Sequence, residues 1–293
     1  MNLKLAAISA VLLCLLSTFP SQLIAAEDAL IIEVNRIEQH LNARVGLAAY
    51  DTETDRRWAY NSDQRFPLTS TFKTLACAAV LQLVDAGMED LATKVNVSSA
   101  ELVTYSPVLE KYADTLDITL FELCEATMTT SDNTAANLIV QRLGGPEGIT
   151  RFARQLGDPY TRLDRWETEL NQATPGDERD TTTPSAMIGL LEQLLLEEVL
   201  SAESKHQLRT WLINNKVADD LFRLSMPDDW VIADRTGAGG FGSRAITALI
   251  WPPNRKPVIV ALYITETAAS FEARNNAIAQ LGAVLVALIE EPF

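Results

Sequence analysis

The sequence predicts an α/β fold of the α+β type: a five-stranded antiparallel sheet built from both chain ends, covered by terminal helices, beside an inserted all-helical region. Three observations predict it. Strand-like runs stand next to a helical pattern near each terminus. The middle of the chain repeats its apolar residues at helical spacing. One long polar segment fits neither period.

The elements follow in order. Leu30, Ile31, Val34, Ile37 and Leu41 recur at helical spacing over residues 28–41. Residues 44–51 and 56–60 flank the polar turn 52–55, a hairpin signal. Helices are expected over 71–86, 119–127, 133–143, 146–156, 184–195 and 202–214, with stops at Gly87 and Gly144-Gly145. Strands return at 230–234, 245–251 and 258–265, and a last helix covers 268–289. The domain reading is therefore an α/β part from 27–61 and 216–293, and a helical part at 62–215. Residues 158–183 are rich in Asp, Arg, Glu and Thr. A loop of that length is usually functional or disordered. Arg165 and Asp180 could pair across its ends, which favours an ordered Ω loop at about 162–180.

Before the first helix, Lys4, the apolar run 5–16, Pro20 and Ala25-Ala26 have the order of a secretory signal peptide, residues 1–26. The apolar run is shorter than the roughly 18 residues of a spanning helix. Export to the periplasm is the expectation. The formal net charge is −15, and removal of Lys4 with the leader makes it one unit more negative. Such a surface argues against nucleic-acid partners and against stable membrane association.

After the leader, Cys77 and Cys124 are the remaining cysteines. An exported chain permits a bridge between them, which is favoured over two buried thiols. Only His40, in an early amphipathic segment, and His206, in a polar stretch, are present. A histidine-based triad or a polyhistidine zinc site is therefore not expected, and no metal or cofactor is called for. Lysine and carboxylate must move the protons in any hydrolase built from this chain.

Ser70 and Lys73 are three apart at the start of a predicted helix, so they share a face. A desolvated lysine can activate a serine, and the helix N-terminus favours developing negative charge. Alone this pair is weak, since Ser is a common N-cap. Ser131-Asp132-Asn133 alone reads equally well as a cap. Arg235-Thr236-Gly237 follows the strand at 230–234 and leads into Ala238-Gly239-Gly240, where a cation and a hydroxyl could clamp a carboxylate. Ser-x-x-Lys, then Ser-Asp-Asn, then basic-Thr-Gly is the motif order of the penicillin-recognising serine enzymes. Glu167 and Asn171 add a Glu-x-x-x-Asn in the polar loop.

With these four motifs the chain resembles class A serine β-lactamases over essentially its whole mature length. The resemblance implies a monomer that acylates Ser70 with a β-lactam and hydrolyses the acyl-enzyme with a water that Glu167 activates and Asn171 helps hold. It further implies that Lys73 and Ser131 move protons, and that the N–H groups of Ser70 and Ala238 form the oxyanion hole. Asn133 would touch the substrate's amide, Tyr105 the mouth of the pocket, and Arg235, Thr236, Gly237 and Arg244 the carboxylate end. A Cys77–Cys124 disulfide and an Arg165–Asp180 ion pair are implied as well. Peptidoglycan D,D-peptidases and penicillin-sensing receptors share the first three motifs but not the Glu-Asn element.

Two positions depart from the commonest pattern. Arg235 stands where most relatives have lysine. Together with the sequences 66–73 and 237–242, it resembles the carbenicillin-hydrolysing branch. Its forked donor set implies tolerance of a second substrate carboxylate. Thr168 stands where many relatives have a proline after a cis bond, which leaves the peptide's geometry open.

Overall fold

The computed structural model describes residues 19–290, with side chains from residue 29 onward. The leader read at 1–26 lies outside these residues, apart from the helical backbone of 19–26. Helix α1 (Phe19–Leu41) enters the hairpin β1 (Arg44–Asp51) and β2 (Arg56–Tyr60). The chain leaves the sheet through β3 (Phe66–Pro67) and α2 (Phe72–Asp85), then makes β4 (Lys94–Val95) and β5 (Ile118–Thr119). Next come α3 (Leu120–Thr130), α4 (Asn133–Arg142), α5 (Pro146–Gln155), β6 (Thr181–Thr182), α6 (Pro184–Leu195) and α7 (Ala202–Ile213). It returns as β7 (Val231–Ala238), β8 (Arg244–Trp251), β9 (Val258–Thr265) and α8 (Phe271–Glu290). The antiparallel sheet has the order β2-β1-β9-β8-β7, so strands from both ends pair at β1–β9, as expected.

Strand β9 shows why the sheet is central. Val258, Val260, Leu262 and Ile264 pack with Leu30, Val34, Ile37, Ile278 and Leu281 from the terminal helices. The intervening Ile259, Ala261 and Tyr263 pack with the helical side. Period-two alternation thus sends side chains into two cores, and both faces must be apolar. On the helical side, α2 is buried at every residue from Phe72 to Leu81. A helix enclosed on all sides is a rigid base for a nucleophile at its start.

Two expectations are corrected. The inserted region is not all-helical: β3 pairs with β6, and β4 with β5, as two-residue ribbons too short to leave a periodic signal. Strand β7 does not stop at residue 234 but continues through Arg235, Thr236 and Gly237 to Ala238, paired with β8. The prospective carboxylate clamp, expected at the edge of this strand, lies within it.

Candidate active site

Ser70 sits in a single 3-10 turn (Thr69–Thr71) that runs straight into α2. Thr69 before it has φ of 44°, a left-handed conformation that β-branched residues rarely adopt. The turn is held from both sides. Thr69 and Thr71 hydroxyls donate to the Leu68 carbonyl, and the Leu68 N–H donates to the Asp180 carbonyl at 2.8 Å. From the other side Gly237 presses in: a Cβ there would fall 1.9 Å from Thr69 Oγ1 and 2.9 Å from the Ser70 nitrogen. Only glycine lets β7 come that close.

Of the residues expected beside Ser70, Ser131 touches it and links it to Lys73 and Glu167. The Ser131 hydroxyl donates to Ser70 Oγ at 3.2 Å. Lys73 Nζ donates to the Ser131 carbonyl at 3.0 Å, Ser131 Oγ at 3.3 Å and Asn133 Oδ1 at 2.6 Å. It also meets Glu167 Oε1 at 3.0 Å, with both side chains fully buried. Burial lowers the Lys73 ammonium to about 8; Glu167 opposes this shift and Arg235 reinforces it. Ser131 ends α3 in the left-handed region with φ of 65°. Asp132 caps α4 through the Ala135 N–H and also binds the Val108 and Leu109 N–H groups. The capping role of the triplet and its site role coexist on neighbouring residues.

The polar segment is an ordered Ω loop. The Asp180 carboxylate accepts from the Asp164 and Arg165 N–H groups, and from Arg165 Nε at 2.6 Å. Inside the loop Leu163 and Leu170 are buried, which fixes it on the body of the protein. The Glu167–Thr168 peptide is cis. The Glu167 backbone is gripped by one side chain: Asn137 accepts from its N–H and donates to its carbonyl, both at 2.9 Å. Asn171 Nδ2 donates to Glu167 Oε2.

Across the cleft, of about 340 Å³, the lining includes Ser70, Tyr105, Ser131, Asn133, Asn171, Thr236, Gly237, Ala238, Arg244 and Phe271. Tyr105 is half exposed at its mouth, and its carbonyl accepts the Asn133 N–H at 3.0 Å. Arg244 donates Nε to Asn275 Oδ1 at 2.8 Å and Nη1 to the Gly237 carbonyl at 3.0 Å. Burial lowers its guanidinium to about 10, still a full cation at neutral pH. Arg235 departs from expectation. It is fully buried, does not line the cleft, and donates Nη2 to Ser131 Oγ from behind. Of the residues expected to clamp the carboxylate, Thr236 and Arg244 are the side chains at the cleft.

The expected disulfide is also corrected. Cys77 and Cys124 are both free and buried, and the Cys77 thiol points at the Cys124 carbonyl, 3.9 Å away. Burial pushes the Cys77 thiol well up, so it stays protonated there. His40 and His206 are exposed on α1 and α7. Sequence reasoning missed Asn137, Asn275 and Phe271. Asn137 is four residues after Asn133, and Asn275 four after Phe271; each spacing puts a pair on one helix face. That spacing was the available signal.

Fold and geometry define a class: a serine hydrolase whose nucleophile is served by a buried lysine–carboxylate pair and a second serine, with no histidine. Comparison with protein-family models matches the β-lactamase enzyme family over residues 29–289. The chain is 47% identical over 282 residues to β-lactamase AER-1 of Aeromonas hydrophila, covering 96% of this chain and 93% of that one. It is 50% identical over 250 residues to β-lactamase PSE-4 of Pseudomonas aeruginosa, covering 85% and 86%. Among solved structures, the chromosome-encoded β-lactamase of Vibrio parahaemolyticus superimposes with a TM-score of 0.87 at 46% identity, covering 90% of this chain and all of that one. An ancestral class A β-lactamase gives 0.86 at 48% identity, covering 88% and 99%. The chain belongs to the β-lactamase enzyme family, in its serine-dependent class A.

Proposed function

We propose that the protein hydrolyses penicillins, carbenicillin among them, through an acyl-enzyme on Ser70 that water activated by Glu167 resolves. The carrying observation is the continuous chain of contacts Ser70–Ser131–Lys73–Glu167–Asn171, fully buried at the Lys73–Glu167 pair. Ser70 Oγ attacks the lactam carbonyl. Its proton leaves along Ser131 and Lys73, with the Lys73–Glu167 pair acting as one base. The N–H groups of Ser70 and Ala238 receive the oxyanion at the start of α2. Ser131 then returns a proton to the lactam nitrogen as the C–N bond breaks. Thr236 and Arg244 hold the carboxylate beside that nitrogen, with Gly237 as the close floor, and Asn133 and Tyr105 meet the acylamino side chain. Arg235 acts from behind Ser131, and its charge favours a second carboxylate at longer range.

Deacylation falls to Glu167. Asn171 gives Nδ2 to that carboxylate, and its Oδ1, without a protein partner among the described residues, is left to accept from the attacking water. Export to the periplasm and action as a monomer complete this reading. The test is hydrolysis of benzylpenicillin and carbenicillin by the purified protein and by Glu167→Ala. The native protein should turn over both. The variant should lose on the order of 10³-fold in kcat, within the range for a general base, and mass spectrometry should find it trapped as a penicilloyl adduct on Ser70. Undiminished turnover by the variant would refute the role of Glu167.

A further inference from the structure

We infer that Phe271 closes the carboxylate end of the cleft and selects substrates by the ring substituent next to their carboxylate; this rests on the β-lactam reading above. Phe271 opens α8 and is about half exposed, at 51%, although it lines the cleft. The first turn of α8 is fixed by Ser270, whose hydroxyl accepts the Ala273 N–H at 3.1 Å. Four residues along, Asn275 accepts from Arg244 Nε. The two side chains therefore share one helix face and hold the same guanidinium. Phe271 supplies its ring, with Arg244 Cζ 4.8 Å from the centroid, and Asn275 supplies an acceptor. Arg274 lies 5.5 Å from the same centroid, so two cations border one ring.

Such an arrangement has two consequences. The ring limits the orientations of Arg244, whose Nη1 is already bonded to the Gly237 carbonyl. Its solvent-exposed part faces whatever projects from the substrate beside the carboxylate. In penicillins the atom next to the carboxylate-bearing carbon carries two methyl groups, a compact apolar cap suited to an aromatic edge. In cephalosporins the corresponding carbon carries a substituent that extends outward, into the space the ring occupies. Phe271 thus favours the compact class and orders Arg244 at the same time. Tyr105 stands at the acylamino side of the cleft, so the two exposed aromatics bound the substrate from opposite ends.

The experiment compares the native enzyme with Phe271→Ala and Phe271→Trp. Substrates are benzylpenicillin and two cephalosporins with one acylamino side chain, bearing either a methyl or an acetoxymethyl group at the ring position beside the carboxylate. Phe271→Ala should raise the acetoxymethyl-to-methyl ratio of kcat/KM on the order of ten-fold, the scale of one apolar contact in a pocket. It should also raise KM for benzylpenicillin more than it changes kcat. Phe271→Trp should move the ratio the other way. A merely structural role moves both cephalosporins together, so an unchanged ratio in both variants overturns the inference. If the native enzyme hydrolyses none of the three, it is the β-lactam reading that fails instead.

Discussion

At the scale of single residues, the site depends on Lys73 being an uncomfortable cation. Burial lowers it to about 8, and the Glu167 carboxylate 3.0 Å away is the main group resisting that shift. Replacing Glu167 by glutamine removes the resisting charge and keeps the shape. The Lys73 ammonium should then lose its proton at a lower pH than in the native enzyme. On the proposed mechanism the variant should deacylate slowly, so single-turnover acylation by benzylpenicillin can be followed alone across pH. Its acidic limb should move to lower pH if neutral Lys73 accepts the Ser70 proton. A limb displaced upward would show that the lysine acts only as a fixed charge. Arg235 teaches the complementary lesson. The sequence identifies a cation after a strand, but not which way its side chain turns, and the structure turns it behind Ser131. Residue type was readable; direction depended on a strand that runs four residues past its expected end.

Among elements, the Ω loop couples two halves of the chemistry. Asp180 gathers three donors from Asp164 and Arg165 with its carboxylate. Its carbonyl takes the Leu68 N–H, two residues before Ser70. One residue therefore closes the loop that carries Glu167 and steadies the segment between β3 and Ser70. Asp180→Asn should keep the left-handed backbone, which asparagine tolerates, while removing the charge opposite Arg165. Leaving one member of a largely buried pair uncompensated costs roughly 3 kcal/mol. Deacylation should slow more than acylation, because Lys73 is seated on α2, and Ser70 and Ser131 stand just before α2 and just after α3. Burst kinetics with benzylpenicillin would show it, as a lower steady rate after a preserved burst; equal losses in both phases would argue against this division. The pairing of Arg165 with Asp180 was legible, since opposite charges bracketed an aperiodic polar stretch. Asn137 was not, because its grip on the Glu167 backbone comes from α4, 30 residues away in sequence. The same holds for Asn275 on Arg244. Helices and strands announced themselves by period, whereas the four-residue spacing of Asn137 and Asn275 marks a shared helix face but not the backbone or guanidinium that each one holds.

For the molecule as a whole, the surplus of acidic residues sets its response to acid. Asp85 joins the end of α2 to the start of α7, accepting the Ser201 N–H and the hydroxyls of Ser201 and Ser204. Burial pushes its carboxyl up, but these donors outweigh that effect and hold it below its ordinary value. On the Ω loop, hydrogen bonding by Arg179 brings Asp177 down to about 2. A carboxylate held down in the folded state contributes stability above its unfolded pKa, and loses that contribution as pH falls through the folded one. Asp234 works in the opposite sense: burial raises it even against Arg223, so the folded state takes up that proton first and gains from acidification. The depressed group is more numerous, with Asp114, Glu122 and Asp164 also on that side. Stability should therefore fall as pH drops below about 4, the ordinary carboxylate range. Asp85→Asn isolates one contributor, at the joint between two helices of the helical core. At pH 7 the variant should melt about 2–4 °C lower, the shift that roughly 1 kcal/mol produces in a domain of this size. At an acid pH below that lowered range the native carboxylate is itself neutralised, and the two melting temperatures should converge. Thermal unfolding followed by circular dichroism at both pH values gives the comparison. A gap that stayed constant would mean that the Asp85 joint works through shape and neutral hydrogen bonds, not through its charge.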